Sequence, residues 1–196
     1  MKILIAITGA SSTELGLLLL QNLEKLEFNG EIYAILSKGA KQSFLAENKD
    51  LKLNENKLLS FFKDKFELEK THFFEDDNLA TGLSSGSFGI EKTIIAPCSI
   101  NTLAKISNSL ADTLITRAAA VALKEQKKLI LAVREMPFSA LSLEQMSKLS
   151  KLGVIIAPPV YASYFGIKNL HDLQNFIIGK WLDLLDIKHN LYKRWQ

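Results

Sequence analysis

The residues of this chain that could do chemistry are mostly small and hydroxylic. They recur in short loops, each ahead of a helical pattern. Thr8-Gly9-Ala10-Ser11-Ser12-Thr13 follows the first apolar run, Ser37-Lys38-Gly39 the second, and Pro97-Cys98-Ser99-Ile100-Asn101-Thr102 the third. Loops of this kind can offer backbone N–H groups, hydroxyls and the positive end of a helix dipole to a phosphate. Any one Ser or Thr in such a place is an ordinary helix cap. Three on one sheet edge lower the odds of coincidence, and both readings, helix cap and anion seat, stay open. A fourth run is followed by Arg134-Glu135-Met136-Pro137, and a fifth by Pro158-Pro159, leading to Tyr161 and Tyr164. A second cluster is charged. Arg117 and Lys124 are seven apart on one helix, two turns apart on one face, and Lys180 lies in the last helix. Solvation is the usual fate of such side chains, and of Glu47 at the end of the second helix. Arg134 differs because it stands at the sheet's ligand edge.

Several chemistries are disfavoured by what is missing, an NAD enzyme and an ATPase first. A dinucleotide fingerprint requires a second glycine where Ser11 stands, and a P-loop requires one where Glu14 stands. A mononucleotide with one phosphate, such as FMN, suits a flavodoxin-like sheet better. The single cysteine, Cys98, permits no internal disulfide, and His72, His171 and His189 lack metal-ligand spacing. No histidine is near Cys98 in sequence to activate it, so a buried, inert thiol is expected.

The elements that must position these loops follow from periodicity. Ile3–Ile7, Glu31–Leu36, Thr93–Ala96, Leu129–Val133 and Val154–Ala157 are short and rich in β-branched residues, as buried parallel strands are. Thr13–Glu27, Lys38–Glu47, Asn101–Ile106, Asp112–Lys124, Ser142–Lys151 and Asn169–Asp183 carry helical spacing. The alternation predicts an α/β fold, a three-layer flavodoxin-like or Rossmann-like parallel sheet with helices on both faces. Asn48–Ala80 is polar and lysine-rich and reads as one or two short helices and a connection. Lys188–Gln196 reads as an arm toward a neighbouring subunit. The chain has 196 residues, 47% hydrophobic, with net charge +3. One domain over residues 1–196 is expected. No apolar run approaches the roughly 18 residues of a membrane span. The start of the chain enters a strand directly, which predicts a cytoplasmic protein. The charge balance does not demand nucleic acid.

At these loops the chain resembles the flavin prenyltransferase family of the UbiX type. The resemblance rests on Thr8-Gly9-Ala10-Ser11, Ser37-Lys38, Glu47, Ser84-Ser85-Gly86-Ser87-Phe88, Pro97-Cys98-Ser99, Thr102-Leu103, Thr116-Arg117-Ala118-Ala119, Leu123-Lys124-Glu125, Arg134-Glu135, Pro137, Pro158-Pro159, Tyr164 and Arg194-Trp195-Gln196, in the family's order. It implies a homo-oligomer, typically a dodecamer, with sites at subunit junctions. It implies transfer of a dimethylallyl group from dimethylallyl monophosphate to N5 and C6 of reduced FMN, without a metal, and delivery of prenylated FMN to UbiD-type decarboxylases. It implies that Gly9, Ala10, Ser11, Ser37, Ser99, Ile100, Asn101, Thr102 and Arg134 bind FMN. Arg117, Lys124, Glu135, Tyr164 and Lys180 would surround the prenyl donor's phosphate, and Ser11, Glu47 and Glu135 would be catalytic, the first two as a proton relay.

The chain departs from the family's usual residues at Ser12 (often Gly), Asn101 (Lys or Arg), Ala120 (Asp), Met136 (Thr) and Lys180 (Arg). The Pro97–Thr102 loop is also close to that of flavoprotein decarboxylases acting oxidatively on cysteine-derived substrates. Those enzymes need a histidine after the second strand–helix unit, and only His72 is available. A flavin-binding subunit without catalysis is the third reading.

Overall fold

The computed structural model describes residues 1–26, 28–163 and 166–194. Six parallel strands form one sheet: β1 (Lys2–Ile7), β2 (Glu31–Leu36), β3 (Thr71–Glu75), β4 (Lys92–Cys98), β5 (Lys128–Val133) and β6 (Ile155–Ile156). The order is β3-β2-β1-β4-β5-β6. Five strands match the apolar runs. The sixth, β3, lies inside Asn48–Ala80, where only helices and a connection were expected. It is an edge strand whose His72 and Glu75 are exposed, so it lacks the all-apolar signature of its neighbours. Without β3 the order is that of a flavodoxin-like sheet. With it, the order is that of the dinucleotide fold, and the crossover point between β1 and β4 is common to both.

Among the described residues, seven α-helices cover the sheet: α1 (Glu14–Lys25), α2 (Lys38–Glu47), α3 (Glu55–Phe66), α4 (Ile100–Ser107), α5 (Leu114–Lys124), α6 (Ala140–Lys151) and α7 (Leu170–Leu184). The strands alternate their side chains between two cores. Ile3, Ile5 and Ile7 of β1 face α1, α3 and α7, while Leu4 and Ala6 face α4, α5 and α6. Helix α1 comes so close to β4 that a Cβ on Gly16 would stand 2.2 Å from the Ala96 carbonyl oxygen. Only glycine permits that approach, which sets the Thr8–Thr13 loop beside the end of β4.

Residues 188–194 do not extend as an arm. They fold back on their own α7, where Asp183 accepts hydrogen bonds from His189 Nε2 (3.1 Å), Tyr192 OH (2.5 Å) and Arg194 NH2 (2.7 Å). Trp195 and Gln196 lie outside the described residues.

Candidate active site

At the carboxyl ends of β1, β2, β4 and β5 opens a cleft of about 540 Å³. This is ample for a mononucleotide. Two strand-end loops are tied together at its floor. Thr8 Oγ1 donates to the Pro97 carbonyl (2.9 Å) and accepts from the Ser99 N–H (2.8 Å). Gly9 faces Gly39, and a Cβ on Gly9 would stand 2.9 Å from the Gly39 backbone. The β1 and β2 loops therefore touch through their backbones and leave the space above them open. Three helices aim their N-termini into the cleft. Ser37 caps α2 by accepting from the Ala40 N–H, Ser99 caps α4 through Thr102, and Thr113 caps α5 through Thr116. None of the three helices carries an acidic residue in its first turn. Lys38 opens α2, where a cation is unfavourable unless an anion joins it. The hydroxyls are thus caps and cleft-liners at once, and the set fits a phosphate-bearing group.

Ten of the residues expected to bind flavin or phosphate or to be catalytic line this cleft: Gly9, Ala10, Ser11, Ser37, Ser99, Ile100, Asn101, Thr102, Arg134 and Glu135. Glu47 stands behind the loop, and its Oε1 accepts the Ser12 N–H at 3.0 Å. Glu135 accepts its neighbour Met136's N–H at 3.0 Å, and it and Arg134 are exposed. Arg117, Lys124 and Lys180 are not brought to the cleft within one chain. Arg117 Nε donates to the Ser84 carbonyl (3.1 Å), Lys124 pairs with Glu125 (2.5 Å), and Lys180 is exposed on α7. Tyr164 lies outside the described residues. Cys98 is fully buried in β4, and burial pushes its thiol far above the usual range, so it keeps its proton. His72 lies on β3 beside the Tyr33 ring, away from the cleft.

The cleft also holds Lys38 and Thr116, named above only as parts of motifs, and Asp76, Lys105 and Thr113, which carried no expectation from sequence. Asp76 follows β3, and missing that strand hid it. Its Oδ1 accepts the Ile115 N–H at 2.9 Å and so caps α5. Burial raises its pKa, opposed by that bond and by the Lys105 charge. Lys105 stands one turn beyond Asn101 on α4 and could have been found by its spacing. Its ammonium is held by Asp112 at 2.7 Å.

A doubly wound sheet with a phosphate-suited cleft at its crossover point defines a mononucleotide-binding protein, and the Flavoprotein family model matches residues 1–182. The flavin prenyltransferase UbiX of Campylobacter jejuni is 59% identical over 196 residues, covering 100% of this chain and 99% of that protein. Among solved structures, AnUbiX (PadA1) in complex with FMN and dimethylallyl pyrophosphate aligns with TM-score 0.88 at 32% identity, covering 100% of this chain and 97% of that one. A dodecameric FMN-dependent UbiX-like decarboxylase from Escherichia coli O157:H7 aligns with TM-score 0.87 at 35% identity over all of both chains. The chain belongs to the flavin prenyltransferases of the UbiX family. Among the described residues, no helix is long and apolar enough to cross a membrane, and no group of His, Cys, Asp and Glu could hold a metal ion.

Proposed function

We propose that this chain joins the dimethylallyl group of dimethylallyl monophosphate to N5 and C6 of reduced FMN, as a homo-oligomer in the cytoplasm. Prenylated FMN would then pass to a UbiD-type decarboxylase. The observation that carries this reading is the meeting, in one cleft, of the capped loops at Gly9–Ser11, Ser37 and Ser99–Thr102 with Arg134-Glu135. When bound, reduced FMN supplies the nucleophilic nitrogen and carbon.

The protein's part is to hold and to move charge. Ser37, Lys38 and the α2 N-terminus would hold the flavin phosphate, and Gly9, Ala10, Ser99, Ile100, Asn101 and Thr102 would orient the rest. Arg134 and Tyr164, joined by Arg117, Lys124 and Lys180 of neighbouring subunits, would stabilise charge growing on the departing phosphate. Glu135 among these cations would fix their geometry or exchange a proton with the phosphate. Ser11 and Glu47 would relay the proton released at the carbon centre. The grip of Glu47 on the Ser12 N–H keeps the carboxylate beside Ser11's loop.

Incubation of the protein with reduced FMN and dimethylallyl monophosphate, without oxygen, tests this directly. The released flavin should gain the mass of one prenyl group, and an unchanged mass would overturn the reading. Carbon dioxide from a cysteine conjugate would instead support an oxidative decarboxylase, the reading that Asn101 in the cleft favours. Bound FMN with neither product would mark a subunit without catalysis.

A further inference from the structure

Helix α5 begins at the cleft and leaves it within one turn. Thr113 and Thr116 line the cleft, while Arg117, the next residue, is exposed. Consecutive helical side chains do not face the same way. One turn of α5 therefore serves two places, and its position is felt at both.

The start of a helix leaves four backbone N–H groups without a partner inside it. In α5 all four are engaged. The Thr113 N–H donates to Thr116 Oγ1 (3.1 Å) and the Thr116 N–H to Thr113 Oγ1 (3.4 Å), a capping box that the helix makes itself. Such a box travels with the helix and stabilises it wherever it lies. The other two donors go to one residue at the exit of β3. The Leu114 N–H donates to the Asp76 carbonyl (2.7 Å) and the Ile115 N–H to Asp76 Oδ1 (2.9 Å). Asp76 therefore decides where α5 starts. No N–H of this turn is left for a ligand, so α5 meets the cleft through its side chains.

The chain leaving Asp76 returns to α5 at Ser84, whose carbonyl accepts from Arg117 Nε at 3.1 Å. Between the two, Ser84 Oγ donates to the Leu79 carbonyl (2.7 Å) and the Ala80 N–H to Asn78 Oδ1 (3.1 Å), which keeps the segment folded on itself. From the other side, Lys105 of α4 holds Asp112, the residue before the Thr113 cap, at 2.7 Å. Asp76 and Ser84 thus fasten one helical turn at two points, one in the cleft and one at Arg117.

We propose that Asp76 is a positioning residue for prenyl transfer. Through the first turn of α5 it sets Thr116 against the flavin of its own chain and aims Arg117 at the prenyl donor's phosphate in a neighbouring site. The inference rests on the reaction proposed above. Asp76 acts on the donor through the helix, not by contact.

The experiment measures the KM for dimethylallyl monophosphate at saturating reduced FMN. It compares wild type, Asp76→Ala, Asp76→Asn, Arg117→Ala and the double variant Asp76→Ala/Arg117→Ala. Asp76→Ala should raise the donor KM at least about fivefold. Asp76→Asn keeps an oxygen for the Ile115 N–H and should stay within about twofold of wild type. Once Arg117 is alanine, Asp76→Ala should add less than about twofold, because residues that act through one another are not additive. A merely structural loss would raise the KM equally in both backgrounds. A donor KM unchanged in Asp76→Ala would overturn the proposal, and so would the same rise with the Arg117 side chain removed. Should the alanine variant not fold, Asp76→Glu takes its place. It carries the carboxylate one methylene farther, displaces the turn, and should raise the donor KM only while Arg117 is present; an unchanged KM there overturns the proposal equally. A wild type that makes no prenylated flavin overturns the reading of the reaction and this proposal together, an outcome set apart because it appears before any variant is compared.

Discussion

Ser12 lies in the left-handed region, with φ 67°, at the end of the flavin loop. A side chain there costs roughly 1 kcal/mol relative to glycine. The loop keeps this conformation because the Ser12 N–H has a fixed acceptor in Glu47. Ser12→Gly should raise stability by about 0.5–1 kcal/mol, a melting-temperature gain of about 1–4 °C by calorimetry. Glu47 serves the loop and the proposed proton relay, and two substitutions separate these tasks. Gln at 47 retains an oxygen for the Ser12 N–H, so Glu47→Gln should bind FMN normally while turnover falls by about tenfold or more. Glu47→Ala removes the acceptor as well and should weaken FMN binding too. Equal FMN binding by the two variants would mean the bond does not shape the loop. Glu135 stands across the cleft and does not touch the loop caps. Glu135→Gln should therefore leave FMN bound and slow prenyl transfer, and an unchanged rate would remove Glu135 from the mechanism.

At the scale of elements, most of this fold was legible because parallel strands buried on both faces announce themselves. Ile3–Ile7 are all fully buried, and the matching apolar run could hardly be read otherwise. The edge strand β3 was not legible. It pairs with β2 alone and exposes His72 and Glu75, so its pattern is that of a polar segment. That one omission hid Asp76, and with it the capping of α5 by a residue 39 positions away. Thr113 escaped for a related reason: its helix does not directly follow a strand, so no strand end pointed to it. The C-terminal fold-back was hidden as well, since nothing local in Lys188–Arg194 reveals that Asp183 will gather three donors. Burial alone would raise the Asp183 carboxyl, but hydrogen bonds from Arg194 and Tyr192 and nearby positive charge outweigh it and hold it at about 2. A carboxyl depressed below its ordinary 3.8 stabilises the fold above that value and loses the contribution as pH falls toward 2. Asp183→Asn should therefore cost about 2 kcal/mol near neutral pH and flatten the fall in stability below about pH 4, seen by thermal melts across that range. Trypsin should also cut the variant faster after Lys188 and Lys193, because the segment has lost its anchor. Equal cleavage would show that Tyr192 and the other packed rings hold the segment without the carboxylate.

At the scale of the whole molecule, the cleft of one chain is incomplete for the proposed reaction. It carries Arg134 and Glu135, but Arg117, Lys124 and Lys180 point elsewhere on the surface. Arg117 and Lys124 lie on α5 and Lys180 on α7, whose cores are on opposite faces of the sheet. No side-chain rotation in a single chain brings all three to Arg134. Either these cations have no part in catalysis, or neighbouring subunits deliver them. Large apolar side chains exposed near the β5 and α6 ends, Met136, Leu141 and Leu152 among them, give such neighbours something to bury. Light scattering should accordingly find an assembly well above 21.9 kDa. Complementation then decides between the two options. Lys124→Ala and Glu135→Gln subunits, each nearly inactive alone, are mixed, dissociated and reassembled. If a site draws Glu135 from one chain and Lys124 from another, some mixed junctions receive both intact residues. Activity should then return to roughly a quarter of wild type, the fraction expected from random assembly of equal amounts. If each site is built from one chain, every site carries one lesion or the other, and no mixture can recover activity at any ratio. A monomer in solution would settle the matter in the same direction, because the three cations would then have no route to the phosphate.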